Sequence, residues 1–214
     1  MKRILFATRS AGKKRELRLL LEGAPSEFVF LDEIGIGETP EEQRIETGTT
    51  FEENARLKAE YFQKRSGLPT VAEDSGLEVF ALGGRPGVRS RRFAMATENQ
   101  DAANNQELLR QLAGAPPERR AARYRCALVL LAGPATIPKS FLGMCRGRIL
   151  TEPQGTGGFG YDPVFFSVDL NKPFSEVTLE EKNRVSHRAE AVRAMTDWLL
   201  QHPTFDVQRS TFKY

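Results

Sequence analysis

Residues 4–21 read ILFATRSAGKKRELRLLL, and the way this stretch parses decides the fold class. Ile4-Leu5-Phe6-Ala7 is a short apolar run of the kind that forms a buried strand. Ser10 stands where it can cap a helix in which Leu17, Leu20 and Leu21 recur at helical spacing, and Gly23 and Pro25 stop that helix. A strand feeding a helix start presents free backbone N–H groups and the positive end of the helix dipole, both of which attract phosphate. The junction Thr8-Arg9-Ser10-Ala11-Gly12-Lys13 is therefore a candidate anion site, with Arg9 and Lys13 adding charge. The plain alternative is a turn with solvated basic residues. It is not a Walker loop, because the early glycine and the Ser or Thr after the lysine are missing.

Further along, Thr50-Phe51-Glu52-Glu53 has the form of a capping box, opening a helix with Phe51, Ala55, Ala59 and Phe62 as its inward stripe and an end near Gly67. Thr70-Val71-Ala72 makes a short strand running into Glu73-Asp74-Ser75-Gly76, and Leu77 to Leu82 continues as extended chain before the loop Gly83-Gly84-Arg85-Pro86-Gly87. A third helix ends in Leu108, Leu109 and Leu112. Two strands follow, near Tyr124 to Leu131 and Ser140 to Ile149, then a glycine-rich loop from Gly155 to Gly160 and a last helix carrying Val192, Met195 and Leu199. Alternating strands and helices predict an α/β protein, and the adjacent strands after residue 120 predict a mixed sheet. With no internal repeat and no composition shift marking a linker, residues 1–214 are expected to form a single domain, any second lobe being woven into the same sheet.

Bulk properties exclude several classes. At 40% hydrophobic residues the chain is too apolar to be disordered and can bury a core. Its 31 basic and 28 acidic residues form no long block of one sign, so no nucleic-acid arm stands out and any anion site must be local. The longest apolar run, Ala127 to Ala132, is six residues, far short of the ~20 needed to cross a bilayer. Ile4 to Ala7 is too brief for the core of a signal peptide, so no membrane partner and a cytoplasmic location are expected. Cys126 and Cys145 are too few for a disulfide framework and too far apart for a metal knuckle, and read as reduced core thiols.

Four further places could carry chemistry. Glu73-Asp74 follows a short apolar strand and so sits near its carboxyl end, where α/β sheets bind ligands; taken alone, the pair reads as a solvated turn opened by Asp-Ser-Gly. Lys58 falls inside the apolar stripe of its helix, where a cation needs an anionic partner unless its stem snorkels past the core edge, and Glu46 is a carboxylate within reach of a metal or simply a surface charge. Gly155-Thr156-Gly157-Gly158-Phe159-Gly160 satisfies a dinucleotide pattern, but Tyr161-Asp162-Pro163 follows it instead of a helix. A glycine loop presenting Phe159 and Tyr161 for stacking, with Asp162 as polar anchor, fits a nucleotide base better than a dinucleotide, the bland alternative being a tight turn. With Lys182 just before it, Ser186-His187-Arg188 opens the last helix, where cations oppose the dipole; a functional site tolerates that conflict, and the bland alternative is a solvated helix end.

Together these residues resemble the inosine triphosphate pyrophosphatase family, which acts on non-canonical purine nucleoside triphosphates, over Ile4 to about Leu199. Five ordered segments carry the resemblance: Ala7-Thr8 with Gly12-Lys13 and Glu16; Glu46-Thr47-Gly48 through Phe51, Glu53-Asn54-Ala55 and Lys58-Ala59; Asp74 to Leu77 through Gly83-Gly84 and Pro86-Gly87; Gly155 to Pro163; and Glu181-Lys182 with Ser186-His187-Arg188. The resemblance implies an elongated mixed sheet flanked by helices, two lobes around a central nucleotide-binding cleft, a homodimer, and a magnesium-dependent hydrolase that clears ITP, dITP and XTP from the nucleotide pool. Carried over by motif, Asp74 is the catalytic base and a magnesium ligand, Glu46 a second ligand, and Thr8, Lys13, Lys58 and Ser75 bind the triphosphate. Phe159, Gly160, Tyr161, Asp162, Lys182, His187 and Arg188 hold the base. The chain departs from the family in reading Thr8-Arg9-Ser10 for Thr-Gly-Asn and in having Glu73 where a second aspartate is common. The alternatives are a related pyrophosphatase for modified pyrimidine or other nucleotides and a nucleotide-binding regulator without catalysis.

Overall fold

The computed structural model describes residues 2–96, 98–134 and 136–203. Seven strands, β1 (Arg3–Ala7), β2 (Glu27–Phe30), β3 (Thr70–Val79), β4 (Ala121–Leu131), β5 (Lys139–Ile149), β6 (Phe165–Ser167) and β7 (Lys172–Pro173), form one sheet in the order β2-β1-β3-β4-β5-β6-β7. β1 runs parallel to β2 and β3, with Leu5 opposite Thr70 and Ala7 opposite Ala72, whereas β6 runs antiparallel to both β5 and β7. The sheet is therefore mixed and the protein α/β, as the strand and helix pattern predicts.

The helices start and stop where local chemistry dictates. In α1 (Ala11–Leu20) the Ser10 hydroxyl accepts from the Lys13 backbone N–H at 3.3 Å. α2 (Phe51–Ser66) opens on a complete capping box: Glu53 N–H donates to Thr50 Oγ1 and Thr50 N–H donates to Glu53 Oε2, both at 3.1 Å. It closes on Gly67 at φ 67°, a left-handed conformation that glycine adopts without a Cβ penalty. α3 (Gln100–Gln111), α4 (Leu179–Val185) and α5 (His187–Gln201) complete the set. None of the described helices is long and apolar enough to cross a membrane.

Two features depart from expectation. Glu73-Asp74-Ser75-Gly76 is not a solvated turn: β3 runs unbroken through it, with Glu73 and Asp74 both buried. Chain flanked on both sides by strand has its backbone groups paired in the sheet, which overrides the local turn preference of Asp-Ser-Gly. Second, Thr178 and Glu181 form a capping box that starts the separate short helix α4 before Ser186 begins α5.

The chain divides into two compact units, each with its own interior. The first draws on Met1–Asp74, Ala127–Leu142 and Ala191–Tyr214 and buries Leu5, Phe6, Leu17, Ala55, Ala59, Val71, Leu128 and Met195 completely. The second draws on Ser75–Cys126 and Gly143–Glu190, around a cluster that includes Leu77, Leu108, Tyr124, Ile149, Phe165 and Phe174. Each buried Leu, Ile, Val, Phe or Met among them stabilises the fold by about 1.5–3 kcal/mol. Cys126 and Cys145 are free and buried in the second unit, where burial pushes the Cys145 thiol up to about 12.

Candidate active site

In the first unit, β1 ends at Ala7 and its parallel pairing with β3 ends at Ala72, so the chain that follows each strand emerges at the carboxyl end of the pair. After β1 comes the turn into α1: Thr8 Oγ1 accepts from Ser10 N–H at 3.2 Å, and Ser10, Ala11 and Gly12 form the cap and first turn. Lys13 reaches back to Glu73, whose side chain is fully buried, with Nζ 3.2 Å from Oε1. Asp74, next along β3, takes a different partner: its Oδ2 accepts from Asn54 Nδ2 at 3.1 Å. Asn54 in turn accepts from Gly48 N–H at 2.7 Å through Oδ1. A Cβ at Gly48 would stand 2.6 Å from that of Glu53, so only glycine lets this loop close on α2.

Lys58 settles the question of a cation in the apolar stripe of α2. It pairs with Glu46 and donates to the Glu73 carbonyl at 2.9 Å. Burial raises the Asp74 carboxyl above the usual aspartate value; Lys58 and Lys13 pull it back, Glu46 pushes it up, and the Asn54 hydrogen bond lowers it. Asp74 is thus a partly desolvated carboxylate that feels the charges of two lysines and is repelled by a second carboxylate. A divalent cation would relieve that repulsion, and carboxylates are the donors that hard divalent cations take. Among the described residues no group of three or more His, Cys, Asp or Glu could hold a metal by itself.

Arg9 is placed differently. Its guanidinium makes paired bonds to Glu42, at 3.0 and 2.8 Å, and donates to the carbonyls of Ile36 and Gly37 at 2.7 and 2.8 Å. That side chain pins the loop around residue 37 and is committed within the protein.

The second unit contains an aromatic and cationic cluster. Lys182 is buried, pairs with Asp162, and holds Nζ 5.0 Å from the centre of the Phe159 ring and 5.1 Å from that of Phe174. Asp162 also accepts from Phe159 N–H at 3.0 Å. Gly158, at φ 75°, makes this possible: a Cβ there would stand 2.3 Å from Asp162 Oδ2. The Arg188 guanidinium, almost wholly buried, lies 5.8 Å from the Phe159 ring centre and donates through Nη2 to Ser75 Oγ at 3.4 Å. His187 stacks on Tyr124 with ring centres 4.7 Å apart and planes 7° from parallel.

Tyr161 is not presented for stacking. Its ring belongs to the core of the second unit and its hydroxyl donates to the Ser90 carbonyl at 2.8 Å. Half of the expected aromatic pair therefore builds the floor of the loop, while Phe159 stays half-buried. Sequence reasoning also passed over the residues that hold this loop. From α3, Asp101 accepts from Gly160 N–H at 2.7 Å and Asn105 donates to the Gly160 carbonyl at 3.0 Å, clamping that residue from both sides. Asn54 and Tyr124 were missed as partners of Asp74 and His187. Buried polar residues in a helix, such as Asn54 and Asn105, are the signal that could have found them.

Comparison with known proteins agrees over nearly the whole chain. The dITP/XTP pyrophosphatase of Bacillus licheniformis is 45% identical, with 94% of this chain and 100% of that protein covered. That of Bacillus subtilis is 43% identical over 93% and 98%. Among solved structures, a HAM1 protein from Coxiella burnetii superposes with a TM-score of 0.81 at 34% identity, covering 94% of this chain and 100% of that one. The nucleoside-triphosphatase/dITP/XTP pyrophosphatase from Mycobacterium abscessus gives 0.69 at 40% identity, covering 90% and 98%. The model of the Ham1 family matches residues 4–198, and with this fold and these relatives the chain belongs to the Ham1 family.

Proposed function

We propose that this enzyme hydrolyses the non-canonical purine nucleoside triphosphates ITP, dITP and XTP to the nucleoside monophosphate and pyrophosphate. The observation that carries the proposal is the buried, raised Asp74 carboxyl between Lys13, Lys58 and Glu46. A carboxylate above its usual range is a better base near neutral pH, and here it orients and deprotonates the water that attacks the α-phosphorus. Lys13 and Lys58, with Thr8, Ser75 and the N–H groups of the α1 start, neutralise and hold the triphosphate. Asp74 and Glu46 would hold magnesium, which when bound offsets the charge of the leaving pyrophosphate.

The base end falls to Phe159, Gly160, Asp162, Lys182, His187 and Arg188. Hypoxanthine and xanthine carry an acceptor at O6 where adenine carries an amino donor. Cationic donors directed to that position would be left unpaired by adenine, a mismatch that can discriminate by ~10⁴ or more. On the same proposal the enzyme is a homodimer, as its resemblance to the family implies, and it works in the cytoplasm, as the short apolar runs of the sequence suggest. A substrate panel of inosine, deoxyinosine, xanthosine, guanosine, adenosine and pyrimidine triphosphates with magnesium tests the whole reading. Pyrophosphate release with kcat/KM for ITP far above that for ATP is expected; release of orthophosphate rejects the bond assigned, and equal values for ITP and ATP reject the base site.

A further inference from the structure

A cationic cavity lies in the second unit, apart from the residues given roles above. It measures about 380 Å³ and its wall includes Arg120, Arg148, Thr151, Gln154 and Phe166, with no acidic residue among the described ones. Arg120 sits between the 3-10 turn Pro117–Arg119 and β4, and is only 5% exposed. Its Nη1 has a long bond of 3.5 Å to the Leu112 carbonyl, and its Nε has no partner among the described residues. Burial lowers the affinity of this guanidinium for its proton, with no carboxylate among the described residues to restore it. Burying a charge without a counterion is costly, and natural interiors answer such a charge with a partner. No ion pair within the described residues supplies one.

The rest of the wall suits an anion. Arg148 is exposed and lies with its guanidinium carbon 4.0 Å from the centre of the Phe166 ring, which fixes the cation over an apolar surface. Thr151 adds a hydroxyl and Gln154 a side-chain amide. We propose that this cavity is a second anion site, taking a small oxyanion of the phosphate class between Arg120 and Arg148. Planar guanidinium forks match phosphate oxygens two at a time, so two arginines with hydroxyl and amide donors make a complete set for one phosphoryl group. The site owes nothing to the substrate assignment above and stands or falls separately.

Calorimetric titration of the full chain with inorganic phosphate, and in parallel with pyrophosphate, tests it in buffer free of other oxyanions. Binding of either anion that persists in Lys58→Met, weakens about tenfold or more in Arg148→Met, and disappears in Arg120→Met supports the site. Arg120→Met should also melt no lower than the parent without phosphate, and lose the rise in Tm that phosphate gives the parent. If Arg120→Met fails to fold, Arg148→Met carries the test, because its charge is exposed. Absence of binding in the parent chain, binding abolished by Lys58→Met, or equal affinity in the parent and Arg148→Met overturns the proposal.

Discussion

The charged cluster of the first unit and the aromatic and cationic cluster of the second use the same residue types to different ends. Lys13 and Lys58 keep 19% and 17% of their side chains in solvent and pair with carboxylates from other segments. Lys182 is 5% exposed, paired with an Asp162 that is 2% exposed, and covered by two aromatic rings. Charges left at the edge of solvent can exchange partners when phosphate arrives, whereas a buried pair is fixed in place before any ligand binds. The first arrangement suits chemistry and the second suits recognition of shape and hydrogen-bond pattern.

Replacing Asp74 by Asn breaks the comparison at its chemical end. The amide keeps the shape but neither takes a proton nor binds magnesium as a charged ligand, so turnover should fall by about 10²–10⁴ with circular dichroism unchanged. The stability response has a defined sign. A carboxyl whose folded pKa lies above its unfolded value favours the fold at low pH, and that contribution is lost as pH rises from the ordinary aspartate range through the raised value. At neutral pH the ionised Asp74 therefore opposes folding, and Asp74→Asn should melt at or above the parent temperature. For the same reason, the acid limb of the parent's kcat profile should lie above the ordinary aspartate range. A lower Tm for the variant, or near-parental turnover, would remove Asp74 from this role.

Lys182→Met sets the fixed pair against the exchangeable one. It strands Asp162 in the interior and should cost about 3–5 kcal/mol in urea unfolding. Lys58→Met keeps the stem volume beside a half-open carboxylate and should leave the urea midpoint almost unchanged. Its effect belongs to binding: triphosphate affinity should fall about tenfold or more, with a smaller loss for the monophosphate. Equal losses for the two ligands, or comparable destabilisation by the two variants, would erase the distinction between the units. The smallest effect is expected for Tyr161→Phe, which removes one hydrogen bond to Ser90, costs about 1 kcal/mol, and leaves the ratio of ITP to ATP turnover unchanged.

Much of this was legible where local chemistry and tertiary structure agree. The capping box at Thr50 and the glycine at 67 bound α2 correctly, and Ile4 to Ala7 is a strand because its apolar run is too short for anything else. Glu73 and Asp74 misled as a turn because nothing local announces that the strand continues; their place in β3 depends on pairing in the sheet. α4 escaped notice because its sequence, LEEKNRV, has little apolar periodicity, though Thr178 and Glu181 spell a capping box. Within the candidate site, charged residues stood out by type. Their supports did not, since whether Tyr161 faces a ligand or the core, and whether Asn105 meets a glycine loop 55 residues away, are matters of long-range packing.

The two buried cysteines carry a practical consequence. Burial pushes the Cys145 thiol up to about 12, so it stays protonated at neutral pH, and Cys126 is buried as well. Maleimides and similar reagents react with exposed thiolate, so the folded native chain offers them almost nothing. A single cysteine introduced on the surface, at exposed Leu142 for example, would be the dominant labelling position without first deleting the native pair. Fluorescent or spin probes could then be attached to an otherwise unaltered enzyme.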